Sequence, residues 1–296
     1  MQALWMVLGA LMFALMAIGV KFASSSFNTF ELVFFRGLVS VCIMTIAARS
    51  RGISLGTRVP GMHAWRSVVG VTSLSGWFYA IAHLPVATAM TLNYMSGVWV
   101  AVFVVAGAIL YGKQQGIGPL AMTVFAGFAG VMLILQPTFE KDQVVAGLVG
   151  AGSGLVSSLA YLQVAALGKV GEPEDRTVFY FALTTMLVGL VGILVNGVTP
   201  GKFWDNPSAW WIVPIGAFAT MGQWCMTRAY SKGSKLVVAS LQYTGIVFSA
   251  LLGWLLLDET LEWLSWLGIG IIVLSGVAAT ALRNQNLPNS QPTEDH

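Results

Sequence analysis

Arg36 lies within an otherwise mostly apolar stretch, about positions 30–48. It sits about seven residues from one end, roughly 10 Å deep at 1.5 Å per residue. A charge near the middle of a bilayer costs about 2.5–3.5 kcal/mol, so such a side chain needs a wet cavity or a partner. Glu31 and Lys21 are the charges nearby. Two readings stand. Either Arg36 or Lys21 draws in a carboxylate on a solute, or Arg36 snorkels outward and ties helix ends together through their carbonyls.

Other polar residues fall in stripes at helical spacing. Thr72, Ser75, Tyr79 and His83 share one face, and Asn93 and Ser96 another, with Tyr94 and Trp99 beside them. Ser153, Ser157 and Tyr161 recur every four residues. Thr220, Trp224 and Thr227 line up next to Gln223, and Gln242, Gly245 and Ser249 repeat the pattern of Asn93 and Ser96. An unpaired amide in hydrocarbon is costly, so Asn93 and Gln242 must bond across helices or touch water. The stripes mix hydrogen-bonding groups with aromatic faces, which suits amphipathic organic solutes better than inorganic ions. They predict a solute site at Tyr79, His83, Asn93, Tyr94, Trp99, Tyr161, Trp224, Gln242 and Tyr243, with Lys21 and Arg36 supplying charge or gating. For each Ser or Thr the competing reading is small-residue packing between helices. For each Trp or Tyr it is packing or anchoring at the membrane interface.

Catalytic constellations are missing. No nucleophile with its base, paired intramembrane acids or His and Glu set for a metal can be read, and no phosphate-binding loop appears. The chain therefore reads as neither an enzyme nor a holder of metal or cofactor. His83 is read either as a proton-coupled switch, a role open to histidine in general, or as the cap of a short turn. His63 falls in a basic loop and His296 in the tail. No carboxylate sits in the middle of a span, which argues against a proton or sodium site built on Asp or Glu and leaves exchange or facilitated passage. Cys42 and Cys225 lie in apolar runs and read as small buried hydrophobes.

The elements that must position these residues are membrane helices. Of 296 residues 56% are hydrophobic and only 9% charged, too few for a surface facing water. The net charge of +3, without a basic cluster interleaved with aromatics, argues against nucleic acid as a partner. The lipid bilayer is the partner instead. A span needs about 20 mostly apolar residues. Ten are read, at roughly 2–23, 30–49, 64–83, 86–111, 116–136, 144–167, 177–196, 210–230, 236–256 and 263–282. His83-Leu84-Pro85 divides the third from the fourth. Gly150 and Gly154 make a GxxxG spacing for close packing within the chain or in a dimer.

Laying Tyr94 on Tyr243 aligns Ala80 with Ala229, Leu92 with Leu241, Val98 with Val247 and Ala101 with Ala250. The expected fold is thus an all-α membrane protein of ten transmembrane helices, two inverted five-helix repeats around a central cavity. The first repeat takes 1–140, the second 141–283, and 284–296 is a disordered tail. With both termini cytoplasmic, the inner side holds Arg49, Arg51, Arg58, Arg66, Lys113, Lys169, Arg176, Arg228, Lys232, Lys235 and Arg283. The outer side holds only Lys21, Lys141 and Lys202, with acids at Glu140, Asp142, Asp205, Asp258, Glu259 and Glu262.

Lys21, the run Phe34-Phe35-Arg36-Gly37-Leu38 and the run Leu255-Leu256-Leu257-Asp258-Glu259 resemble marks of the drug/metabolite transporter superfamily. The resemblance is to its EamA-type exporters, over positions 1–283. It implies the same ten-helix inverted-repeat fold. Lys113 stands where such exporters often carry Glu, and Ser96-Gly97 and Thr244-Gly245 occupy the region of their usual prolines. The aromatic content is similar to that of the bacterial amino-acid exporters, including those for aromatic amino acids. This implies a secondary transporter exporting amino acids and related small organic metabolites across the inner membrane by alternating access. A drug or sugar-linked metabolite transporter, an importer of the same fold, and a non-transport accessory protein are the other readings.

Overall fold

The computed structural model describes residues 2–24, 26–84, 86–112, 117–138, 143–199, 207–256 and 260–285. Lys113, Glu140, Lys141, Asp142, Lys202, Asp205, Leu257-Asp258-Glu259 and the tail past Gln285 lie outside them. Among the described residues the regular elements are all helices, without strands. In chain order the helices are α1 (Trp5–Ala23), α2 (Thr29–Ser50), α3 (Pro60–His83), α4 (Val86–Leu110), α5 (Ile117–Leu135) and α6 (Val144–Lys169). They continue with α7 (Glu174–Asn196), α8 (Ile212–Lys232), α9 (Lys235–Gln242), α10 (Thr244–Leu256) and α11 (Trp263–Gln285). The last runs into the stretch expected to be tail.

Local chemistry sets the ends. Asn28 caps α2 by accepting from the Glu31 amide at 3.0 Å, while the Asn28 amide donates to Glu31 Oε2 at 2.7 Å. Pro60 opens α3 at its first turn, where no amide donor is needed. Gly197 ends α7 at φ 79°, a left-handed conformation cheap only for glycine. The expected ninth span is broken between α9 and α10. The Thr244 hydroxyl bonds back to Leu241 O at 2.7 Å, and the Tyr243 amide turns to Ser240 O at 3.3 Å. Such back-bonding competes with the helical ladder and bends it.

Eight spans, with α9 and α10 joined as one, are long and apolar enough to cross a membrane. The other two helices read as crossings, α3 with 24 residues and α8 with 21, are long enough but more polar. Their polarity has a structural reason. Twelve residues of α8 are buried, Thr220, Gln223 and Thr227 among them, and α3 turns Arg66 and Ser73 inward. Both helices face protein rather than lipid along these stripes.

Neighbours pair along their lengths: α2 with α7, α5 with α11, α3 with α6 and α1 with α8. α4 packs on α6, and α10 on α1. Small residues permit these approaches, as expected where apolar lipid gives no hydrophobic drive between helices. A Cβ on Gly37 would strike the Met186 backbone, and one on Gly189 the backbone of Phe34, so α2 and α7 touch main chain to main chain. Gly9 faces Gly222 between α1 and α8, and Gly130 faces Gly268 between α5 and α11. The GxxxG pair is spent inside the chain, with Gly150 against Leu92 and Ala80 and Gly154 against the Leu92 carbonyl.

Side chains forced into such contacts overpack the bundle at a cost of about 1–3 kcal/mol. Gly189→Leu is expected to lower the melting temperature of the detergent-solubilised protein by several degrees. Gly152→Leu, whose Cβ meets nothing within 4 Å, is expected to leave it unchanged. Equal effects of the two would contradict the packing described.

Candidate functional site

A cavity of about 280 Å³ opens inside the bundle between α1, α2, α3, α4, α6, α7, α8 and the α9–α10 break. That is near the lower end of small-molecule sites, about 300–1,000 Å³. Five residues of the sequence-predicted site line it: Arg36, Asn93, Tyr94, Tyr161 and Gln242. Further polar lining comes from Arg66, Ser73, Ser157, Thr185, Gln223 and Ser249, and the apolar walls include Phe13, Trp77 and Phe181.

Hydrogen bonds fix part of this lining. The Tyr230 hydroxyl donates to Gln242 Oε1 at 2.8 Å, and Gln242 Nε2 donates to Ser96 Oγ at 3.4 Å. Tyr161 stacks on Tyr230, centroids 5.1 Å apart and planes 11° apart. The Gln242 amide is thus met across helices, as a buried amide requires. Ser73 donates to the Ser153 carbonyl at 3.1 Å and bonds the Ser157 hydroxyl, locking α3 to α6. Tyr94 packs its hydroxyl end near Gly245, where a Cβ would sit 3.2 Å away, with its ring 6.3 Å from that of Tyr243.

The other predicted residues stand elsewhere. Tyr243 is fully buried beside Gly97 and Gly127, a packing residue behind the cavity wall. Tyr79 is 42% exposed and stacks on His83, whose Nδ1 lies 2.9 Å from the Tyr79 carbonyl. The α3 face that meets the cavity is Arg66, Gly70, Ser73 and Trp77, not Thr72, Ser75, Tyr79 and His83. Serine and threonine satisfy themselves on their own helix, and Tyr and His near a helix end suit the interface, so those residues tolerate the outer face. Trp99 pairs with Phe103 at 6.4 Å, away from the cavity lining. Lys21 is exposed at the end of α1. Glu31 caps α2 and accepts from the Thr199 hydroxyl at 2.6 Å and its amide at 3.0 Å, joining α2 to the segment after α7.

Trp224 belongs to a different structure, a layer of charges across one end of the bundle. Three acids at the start of α7 anchor it. Asp175 accepts from Trp224 Nε1 at 2.8 Å and from Arg51 at 3.1 Å. Glu172 meets His63 at 2.9 Å and Arg176 at 3.3 Å. Glu174 meets Lys232 at 2.7 Å, with Arg228 at 3.7 Å. Arg228 also lies over the Trp5 and Trp224 rings at 5.3 and 5.2 Å. The layer ties the ends of α2, α3 and α8 to α7, and the acids suit the positive end of the α7 dipole. The cluster 172–175 was a usable sequence signal, but its partners on three other helices were not readable.

Arg66 was read as a helix-end cation of the basic side. It is instead 3% exposed, with its guanidinium 4.2 Å from the centre of the Phe181 ring. Its Nε and Nη1 have no hydrogen-bond partner among the described residues. The side chain runs up its own helix and lies against Gly70, which has no Cβ to stop it.

Burial alone would raise the Glu172 carboxyl. Hydrogen bonds from His63 and Thr57, and the charges of Arg176 and His63, outweigh it and hold the group below its usual range. Its stabilisation is therefore complete above the unfolded value, about 4.3, and is lost as pH falls through the lower folded value. Glu172→Gln is expected to flatten the acid side of a plot of melting temperature against pH. Parallel acid limbs in variant and wild type would contradict the network.

The description of the EamA-like transporter family matches residues 145–280. A pseudopaline exporter of Pseudomonas aeruginosa is 31% identical over 276 residues, covering 92% of this chain and 93% of that protein. A riboflavin transporter of Rhizobium johnstonii is 25% identical over 281 residues, covering 92% and 88%. A crystal structure superposes with a TM-score of 0.81 at 18% identity, over 96% of this chain and 98% of the other, a likeness of fold. With relatives aligned almost end to end, and a cavity within membrane-length helices, the chain belongs to the EamA-like transporters of the drug/metabolite transporter superfamily.

Proposed function

We propose that this transporter exports amino acids and related small organic metabolites across the bacterial inner membrane by alternating access. The single observation that carries the reading is the cavity, enclosed by helices from both ends of the chain and lined by amide, hydroxyl, guanidinium and aromatic groups. Such a lining suits a solute with a charged head and an organic body. Export follows the pseudopaline exporter, whose name gives a direction and a small organic cargo.

The proposal includes ten crossings in two inverted halves, 1–140 and 141–283, with both termini cytoplasmic. The pattern of neighbours supports it. Exchanging α1–α5 for α6, α7, α8, α9–α10 and α11 turns the α1–α8 pair into α6–α3, and the α4–α6 pair into α9–α10 with α1. The pairs α2–α7 and α5–α11 map onto themselves. Tyr94 and Tyr243, the residues that anchor the internal echo, meet where α4 crosses the α9–α10 break. Cations at the end of the bundle that holds Arg51, Arg228 and Lys232 support placing that end in the cytoplasm. The charged layer there closes the cytoplasmic mouth, and moving the α2–α7 pair away from α3 and α8 opens it.

A second reading is import, favoured by the S-adenosylmethionine uptake transporter of Rickettsia conorii, 20% identical over 245 residues. Oriented vesicles separate the two.

Purified protein in proteoliposomes preloaded with an unlabelled amino acid is expected to take up the labelled form by counterflow. Gln242→Ala, which leaves the buried Tyr230 hydroxyl and Ser96 without their partner, is expected to cut the flux at low solute about tenfold. Flux no higher than in empty vesicles, across a broad amino-acid panel, would overturn the proposal.

A further inference from the structure

The cavity holds two guanidinium groups, Arg36 and Arg66, and among the described residues its lining includes no Asp or Glu. Neither arginine forms a salt bridge or a side-chain hydrogen bond among the described residues. Arginine does not shed its proton in a protein, so the charge cannot be removed by titration. Buried charge without a partner is costly, and two like charges in one small chamber add repulsion. A resting cavity bears this only with water or counter-ions in it.

The two groups enter from opposite ends. Arg36 is seven residues after the start of α2, and Arg66 six residues after the start of α3, which runs the other way. They converge on one turn of α7. Arg66 covers the Phe181 ring, and Arg36 borders a small recess together with Phe181, Thr185 and Gln223. Each guanidinium presents a planar fork of donors that matches a carboxylate through paired hydrogen bonds. One ligand with an acid at each end of a short skeleton answers both charges at once. Between them, Trp77, Tyr94 and Tyr161 offer faces for its carbon body, and Asn93 and Gln242 offer amides.

We infer that the cargo carries two carboxylates on a compact skeleton, one held by Arg36 and the other by Arg66. The inference rests on the transport reading above and narrows its solute class from amino acids in general to acidic ones and their dicarboxylate relatives. Neutral and cationic amino acids, with one carboxylate each, leave one guanidinium unanswered.

The test is binding, so it does not depend on flux. Protein in nanodiscs is titrated calorimetrically with phenylsuccinate, its monoamide and its diamide, which share one skeleton and lose one charge at each step. The dianion is expected to bind at least about tenfold more tightly than the monoamide, as a lost charged pair implies. Arg66→Gln and Arg36→Gln are each expected to erase that preference while leaving the diamide unchanged, and Arg66→Lys to restore part of it. Equal affinity for dianion and monoamide in the wild type would overturn the inference, and this comparison stands even if the glutamine variants do not fold. Stabilisation by sulfate equal to that by phenylsuccinate would overturn it too, since the charges would then serve an inorganic ion only. Counterflow of neutral amino acids with no preference for dicarboxylates sinks this inference and spares the transport reading. Tight dianion binding without flux of any solute does the reverse.

Discussion

Buried guanidinium charge is the constraint around which the molecule is arranged. Arg36 and Arg66 sit inside a bundle whose sequence is only 9% charged, and among the described residues no carboxylate of the cavity lining offsets them. Fixed positive charge in a low-dielectric interior survives only where water or an anion reaches it. A packed, dry core would forbid both residues. The cavity is therefore what lets the helices carrying them assemble, and the more polar helices α3 and α8 turn their polar stripes toward the interior for the same reason.

The rest of the packing leaves that space open while closing everything else. Glycines bring α2 onto α7, α1 onto α8 and α5 onto α11 at backbone distance, so the helix pairs are stiff units. Between the units, apolar contacts such as Gly216 against Val39 are joined by polar ones at the ends of the bundle. At one end the acids of α7 hold Arg51, His63 and Lys232 from three other helices. At the other, Asn28, Glu31 and Thr199 join α2 to the segment following α7. While His63, Glu172 and Asp175 are buried, Arg51 and Lys232 reach this layer from its exposed side, where ion pairs contribute little each and exchange readily with solvent. A layer of them suits a contact that must break and re-form, whereas main-chain contact between glycines suits a contact that must not.

Much of the fold was legible because membrane helices announce themselves by length and apolarity. The span expected at 30–49 is α2, and those expected at 64–83 and 86–111 are α3 and α4, to within a few residues at each end. The site was legible where a polar group had no local way to satisfy itself. Asn93 and Gln242 had to find partners or water, and both line the cavity. It was illegible where a residue had a local option. His83 bonds the Tyr79 carbonyl and stacks on its ring away from the cavity, and Trp224 donates to Asp175, forty-nine positions earlier and on another helix. Arg66 was missed because a cation six residues into a helix resembles an interfacial anchor. Only the bare glycine one turn later, Gly70, shows that its side chain has room to run inward. Tyr230 was passed over because nothing in its spacing marks it as the partner of Gln242.

The central claim is that one chamber serves both sides of the membrane in turn. Ser249 lines it, and Cys42 and Cys225 are the two native cysteines. A protein with Cys42→Ser and Cys225→Ala, carrying Ser249→Cys as its sole thiol, should be treated in sealed vesicles with a membrane-impermeant maleimide, from each face separately. Alternating access predicts labelling from both faces and protection by a transported solute. Labelling from one face alone, or from neither, would contradict it.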